Sequence, residues 1–465
     1  MIAPARTAAF HALRAVAANH VDLPAAVLRA RTSLSDERDR ALAAEVITGT
    51  LRWQRSLDHL VEHFAQRGLS RVDGDVLIIL RLSLYQLLHL DRVPASAVVD
   101  DAVDLTRGAR KQSAAGFVNA VLRSTLRNRH RLPLPSRPDD PQDRHAASAY
   151  LGITHSHPDW LVSRWLTRYG FPDSEKWVRF NNETPALTIR ANRLRLTRDQ
   201  LAAALAQEDI ETEPTRYAPD GLVIRSGNPL RLVGPPKGGH YASHPPDGGS
   251  YGGLFVVQDE ASQLVPLVVD VQPGMRVLDL CASPGGKATA MAAAAAHGLV
   301  AATDVRPRRL RTLAKTVRTL GAQNIRILQV PTTGPLPFGP LFDRILVDAP
   351  CSGLGTIRRD PDIRWRRTEE DLTVLSNRQL ELLRRAATTL APGGRLVYAT
   401  CSSEPEENER VIERFLDHES AFALVDLRAA SPLLDPFVDS RGMLHTLPFA
   451  HGLEAFFAAA LVRGG

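Results

Sequence analysis

From Gln258 to the end of the chain, apolar runs of strand length alternate with segments of helical period, and no other feature narrows the fold as far. Runs buried on both faces belong to parallel strands, and strands joined by helices build an open α/β sheet. The strand candidates are residues 276–280, 299–303, 325–329, 344–347 and 395–399. Sheets of this kind hold ligands beyond the carboxyl ends of their strands, where helix N-termini and loop amides converge. Whatever follows each strand is therefore the first place to look for chemistry.

The first strand runs into Asp279-Leu280-Cys281-Ala282-Ser283-Pro284-Gly285-Gly286-Lys287 and then an Ala-rich helix. Two glycines let the backbone approach a ligand closely, and the helix start offers free amides to a carboxylate. The second strand ends in Asp304, 25 residues beyond Asp279, about where nucleotide-binding sheets place an acid on ribose hydroxyls. The G-x-G-x-x-G fingerprint of dinucleotide sites is absent. S-adenosyl-L-methionine, which has a ribose but no phosphate, fits this loop.

Only three cysteines occur, Cys281, Cys351 and Cys401, and no two lie nearer than 50 residues. That spacing argues against both a disulfide framework and a structural zinc site, and no metal is expected. The fourth strand ends in Val347-Asp348-Ala349-Pro350-Cys351-Ser352-Gly353 and the fifth in Tyr398-Ala399-Thr400-Cys401-Ser402, so every thiol sits just past a strand. Thiolates attack soft electrophilic carbon near neutral pH. A thiol beside a methyl donor suits methylation of pyrimidine carbon 5, which becomes nucleophilic once sulfur adds at carbon 6. The scheme needs an acid at ring nitrogen 3, a role that falls to Asp348, and a base for the carbon 5 proton, for which Cys351 or a water would serve. Carbon 6 is out of reach inside a stacked helix, so the target base must be flipped out.

Lys and Arg exceed Asp and Glu by six, which favours a polyanionic partner. The first 130 residues read as helix, with Leu57, Leu60, Val61 and Phe64 on one face and a helix start at Ser35-Asp36-Glu37. Residues 105–131 carry seven Lys or Arg and no acid, which directs Arg123 and Arg127 toward RNA phosphate. The Pro-rich stretch 132–143 suits an extended spacer. Residues 150–250 open with a helix around Trp160, Leu161 and Trp165 and continue in strands such as Leu187-Thr188-Ile189-Arg190, an α+β pattern. Seven Gly and four Pro within 234–253 read as a mobile loop. Past Cys351, residues 358–367 mix five arginines with one Trp, and Arg358, Arg359, Arg364 and Trp365 are expected to clamp phosphate and stack on splayed bases. Arg306, Arg308, Arg309 and Arg311 read as a solvated helix start, with no contact assigned. No apolar run approaches the length of a membrane span, and Arg6, His11 and Arg14 interrupt any signal-peptide core, so a cytoplasmic protein without membrane contact is expected.

The motifs DLCASPGGK, VDAPCSGLGTIRRDPDIRW and YATCSSEPEENE resemble those of the RsmB/Sun (Fmu) family of 16S ribosomal RNA cytosine-C5 methyltransferases. Leu84-Tyr85-Gln86-Leu87-Leu88 and Phe117-Val118-Asn119-Ala120-Val121-Leu122-Arg123 resemble the NusB-like domain that this family carries in front. The resemblance implies a multidomain chain: an all-α NusB-like helical bundle over 1–131, a Pro-rich linker over 132–149, and a small α+β linking, RNA-binding subdomain over 150–250. An α/β Rossmann-like S-adenosylmethionine-dependent methyltransferase domain then spans 251–465. It makes Cys401 the nucleophile and Cys351 the helper in product release, and it lines the cofactor site with Cys281, Ala282, Ser283, Pro284, Gly285, Gly286, Lys287, Asp304 and Asp348. S-adenosyl-L-homocysteine is then the by-product, ribosomal RNA the partner, and the protein a monomer. Two departures stand out. Leu328-Gln329-Val330-Pro331-Thr332 lacks the acid the family places near adenine, leaving Gln329 or Thr332 to bond it, and Leu453-Glu454-Ala455-Phe456-Phe457 replaces an Asp-Gly-Phe-Phe pattern. Two other readings are a scaffold with a decayed catalytic fold, disfavoured by retention of both thiols, Asp348 and Lys287, and an enzyme of the same class acting on another RNA.

Overall fold

The computed structural model describes residues 2–229, 250–429 and 431–464. Its contacts divide the chain into two compact units, Met1–Thr184 with Ile357–Arg366, and Pro185–Thr356 with Arg367–Gly465. These differ from the sequence-drawn boundaries in two ways: residues 150–184 belong with the N-terminal helices, and so does a ten-residue excursion from the loop after Cys351. The Gly/Pro-rich stretch lies outside the described residues up to 249.

The first unit is helical. Seven helices, from Pro4–Ala17 to Ala115–Arg127, enclose one core in which Phe10, Ile47, Leu57, Leu60, Val61, Ile79, Val118 and Leu122 are buried. Leu57, Leu60 and Val61 turn inward because they recur at helical spacing, and Phe64 packs at the margin. The third helix, Glu37–Arg52, is capped by Asp36 rather than Ser35; its carboxylate accepts from the Arg38 N–H at 2.7 Å. The Pro-rich stretch is not a free spacer: Leu132 and Leu134 pack on the helical core, and Arg144–Ala149 is a helix. The segment Asp159–Asn182 bends at Gly170, which adopts φ 73°, and stacks Trp165 on Trp177 with ring centroids 4.8 Å apart.

The second unit holds two sheets. Strands β1 (Thr188–Ala191), β2 (Glu211–Pro214), β3 (Gly221–Ser226), β4 (Ser250–Tyr251) and β5 (Phe255–Val257) form an antiparallel sheet in the order β2-β3-β1-β5-β4. The larger sheet contains β6 (Arg276–Asp279), β7 (Leu299–Asp304), β8 (Ile325–Gln329), β9 (Phe342–Asp348), β10 (Leu390–Thr400), β11 (Phe422–Val425), β12 (Leu444–Thr446) and β13 (Phe456–Arg463). Its order is β11-β13-β10-β9-β6-β7-β8, with β12 on β13; β6 to β10 are parallel and β13 runs against β10. Val277, Leu278, Ile345, Leu346, Leu396 and Val397 are fully buried because helices cover both faces. The chain goes from β6 outward to β7 and β8, then returns to place β9 on the other side of β6. That reversal opens a crevice at the carboxyl ends of β6 and β9.

Candidate active site

Asp279 ends β6, Asp304 ends β7 and Asp348 ends β9, so three carboxylates line the crevice. Asp279 is 1 % exposed and neither of its oxygens has a hydrogen-bond partner of good geometry. Burial, reinforced by the Asp348 charge, pushes its carboxyl up to about 8. Lys287, one residue into the helix Gly286–Ala294, donates to Asp348 Oδ2 at 2.7 Å and lies 5.6 Å from the Phe456 ring centroid. The Lys287 ammonium is shifted upward: burial, the largest single influence, opposes this, and the charge and hydrogen bond of Asp348 outweigh it. Cys281 is pushed up by burial first and then by Asp279, Asp348 and Asp304, which keeps it a thiol.

The loop between β6 and that helix is held from three sides. Gly285 adopts φ 111°, and a Cβ there would lie 2.9 Å from Leu313, so only glycine fits the turn. Ser283 Oγ donates to the Arg309 carbonyl at 3.1 Å. Arg190 of β1, itself buried, donates through Nη2 to the Gly286 carbonyl at 2.8 Å and through Nε to Gln258 Oε1 at 2.8 Å. At the end of β8, Gln329 donates to the Val305 carbonyl at 3.2 Å, beside Asp304. Arg385 donates to the carbonyls of Pro331, Thr332 and Gly334 at 2.7, 3.0 and 2.6 Å, fixing the loop that contains Thr332.

Cys351 and Cys401 leave neighbouring parallel strands, with Ala399 in register with Asp348, so their loops emerge side by side. The two sulfurs lie 3.1 Å apart as free thiols. The Cys351 thiol is raised well above its usual range, first by its hydrogen bond to the Cys401 sulfur and then by burial. Beneath the pair lies Glu407, which is fully buried. One of its oxygens accepts from the Ser352 N–H at 2.8 Å and Gln379 Nε2 at 2.9 Å; the other accepts from Ser352 Oγ at 2.5 Å and Ser402 Oγ at 2.6 Å. A single carboxylate therefore joins the residues that follow both cysteines. Gly355 closes the arrangement: its N–H donates to the Cys401 carbonyl at 2.9 Å, and a Cβ there would meet the Ala455 carbonyl at 1.9 Å.

The other expected site residues are placed elsewhere. Arg123, bonded to Asn119 at 2.9 Å, and Arg127 are exposed on the helix Ala115–Arg127. Arg364 belongs to the first unit and is fully buried; it donates to the Ser156 carbonyl at 2.8 Å and to Asn182 Oδ1 at 3.1 Å. No phosphate reaches it, which corrects the expectation for this residue. Trp365 donates from its indole N–H to the Leu51 carbonyl at 2.6 Å, and the Arg358 guanidinium lies 4.3 Å from the Phe180 ring centroid. Both side chains are half-buried within the helical unit. Arg359 is half-buried. Sequence reasoning passed over Glu407, Arg190 and Arg385; only the acidic run that contains Glu407 hinted at any of them.

A parallel sheet with a glycine loop and carboxylates at its switch point defines an S-adenosylmethionine-dependent methyltransferase fold. Residues 266–462 match the family described as 16S rRNA methyltransferase RsmB/F, residues 3–127 the NusB family, and residues 157–231 the ferredoxin-like domain of RsmF/B-like methyltransferases. A Synechocystis protein, "Probable ribosomal RNA small subunit methyltransferase B", is 35% identical over 91% of each chain, and a Bacillus subtilis protein of the same description is 34% identical over 93% of this chain and 92% of its own. The crystal structure of PH0851 superposes with a TM-score of 0.77 at 25% identity, covering 99% of both chains. The chain belongs to the RsmB/F methyltransferase family. Among the described residues no helix is long and apolar enough to cross a membrane, and no cluster of His, Cys, Asp and Glu could hold a metal ion.

Proposed function

We propose that this protein transfers a methyl group from S-adenosyl-L-methionine to carbon 5 of a cytosine in RNA, with 16S ribosomal RNA as substrate, through a covalent bond between Cys401 sulfur and cytosine carbon 6. The observation that carries this reading is the contact between the two thiols, 3.1 Å apart, with Cys351 three residues past Asp348, the partner of Lys287. Family membership and the printed names of the relatives support the ribosomal substrate.

Residues 281–287 would hold the cofactor's amino acid end, Asp304 its ribose hydroxyls, and Asp348 would stand where the cofactor meets the base. The unpartnered carboxylate of Asp279 fits a ligand rich in donors. The cofactor supplies an electrophilic methyl on its sulfonium and leaves as S-adenosyl-L-homocysteine. The Cys401 sulfur bonds carbon 6 as its thiol proton passes by way of Asp348, paired with Lys287, to ring nitrogen 3, so no net negative charge is left on the ring. The new bond turns carbon 5 into the nucleophile that takes the methyl. Cys351, its own proton first released to water, or a water beside it, then takes the carbon 5 proton as the carbon 6 to sulfur bond breaks and its electron pair returns to the Cys401 sulfur. Cys281, kept protonated, lines the site without reacting.

The test is a pair of substitutions. Cys401→Ala abolishes transfer of labelled methyl to RNA, whereas Cys351→Ala completes methylation but stalls at release, leaving a protein–RNA adduct that migrates as a shifted band on a denaturing gel. Turnover by Cys401→Ala would refute these roles. Mapping 5-methylcytosine in 16S ribosomal RNA with and without the protein tests the substrate.

A further inference from the structure

The helix Pro307–Leu320 begins three residues after Asp304 and carries the most concentrated positive charge in the second unit. Between Asp304 and Asp343 there are seven cations and no acid. Arg308, Arg311, Lys315 and Arg318 are all exposed, and steps of three, four and three residues put them in one stripe. At about 1.5 Å per residue the stripe is about 15 Å long. Among the described residues none of the four has a carboxylate partner; only Arg309, off the stripe, approaches Asp304, at 3.8 Å. Like charges at these spacings work against a helix, and no carboxylate among the described residues offsets that cost.

The opposite face of this helix is fixed. Leu313, Thr316 and Leu320 are buried, and Leu313 and Thr316 lie against Gly285 of the cofactor loop. The first turn is tied by Ser283 to the Arg309 carbonyl, and the last by Arg195 Nη2, which donates to the Thr319 carbonyl at 3.2 Å. The charged stripe is therefore presented rigidly, one helix thickness from the cofactor loop.

We propose that Arg308, Arg311, Lys315 and Arg318 form a phosphate-tracking surface that grips the RNA backbone next to the methyl-transfer site. This rests on the RNA-methylation reading and adds to it the path the substrate takes. Charge complementarity selects the occupant: evenly spaced cations suit a chain of phosphates. A helix that lies on anionic lipid needs exposed apolar side chains beside its cations, and the large hydrophobic residues exposed among the described residues, Leu194, Val374 and Leu433, are all off this helix.

The experiment uses the full chain with Arg308, Arg311, Lys315 and Arg318 all replaced by Gln, a good helix former. A second variant, Arg308→Lys/Arg311→Lys/Arg318→Lys, keeps the charge. Binding to a 16S ribosomal RNA fragment is measured across a KCl series, alongside single-turnover methylation at saturating RNA and co-sedimentation with phosphatidylglycerol vesicles. The Gln variant is expected to bind about tenfold more weakly or worse, with a log–log salt slope shallower by about 0.7 for each phosphate no longer neutralised, about 2.8 if all four cations engage. Its single-turnover rate stays within about twofold of the parent, and the Lys variant keeps the parental slope. An unchanged slope and affinity in the Gln variant would overturn the proposal, as would vesicle binding that the Gln variant alone loses while RNA binding persists. Should the parent bind RNA without methylating it, the functional reading fails while the salt slope still decides whether this surface is real.

Discussion

Two arginine-rich runs, 306–318 and 358–367, look alike in the sequence and do opposite things in the structure. The second, with its Trp, resembles an RNA clamp, yet Arg364 is fully buried and donates only to neutral acceptors, and Trp365 bonds a backbone carbonyl. The first resembles a solvated helix start, yet four of its cations form a stripe beside the cofactor loop with no carboxylate partner among the described residues. What separates them is the company of apolar side chains. Ile357 and Ile363 draw the 358–367 run inward and Arg364 follows, with Arg358 and Arg359 half-buried, while the 306–318 run buries only one helical face and leaves the rest in water. Arginine content alone does not distinguish a ligand contact from an internal strut.

The contrast is open to direct attack. Arg364→Ala should lower the unfolding free energy by about 3 to 5 kcal/mol in urea titration, since it empties a filled site and leaves buried carbonyls without a donor. A loss below about 0.5 kcal/mol would mean the guanidinium is solvated after all and return it to the RNA-binding candidates. Trp365→Phe keeps the packing but removes the bond to the Leu51 carbonyl, for an expected loss of about 1 kcal/mol by the same measurement. Arg308→Gln, at the other run, should change stability by no more than about 0.5 kcal/mol while weakening RNA binding at low salt. A stability loss like that of Arg364→Ala would erase the distinction between the runs.

Much of the catalytic sheet was legible because its strands are locally patterned. Residues 325–329 coincide with β8, and the other parallel strands were found within a few residues at each end. The exception is β10, which begins at Leu390 instead of 395 because the register shifts between Leu390 and Arg395, across Pro392, Gly393 and Gly394. Residues 391–394 have no partner in β9, so the regular pairing still begins at Arg395. The helix cap missed by one residue, at Asp36 instead of Ser35, since both side chains can cap and only backbone geometry chooses. Cys351, Cys401, Asp304 and Asp348 stood out because chemistry-bearing types at strand ends are few. Glu407 did not: three of its four donors lie on segments 28 or 55 residues away, and no spacing rule links them. Arg190 and Arg385 escaped notice for the same reason, each meeting its partners across 50 residues or more.

The amino-acid sequence alone determined the elements and the chemical inventory: helical and strand periods, a glycine turn after a strand, an acid or thiol at each strand end. These follow from backbone sterics and from side-chain partition along a short stretch of chain. Tertiary structure alone decided which two sulfurs meet at 3.1 Å, which carboxylate ties their loops together, and which arginines face inward. Such choices depend on burial and on partners brought together by strand order, and a charged side chain has no orientation until the surface around it exists.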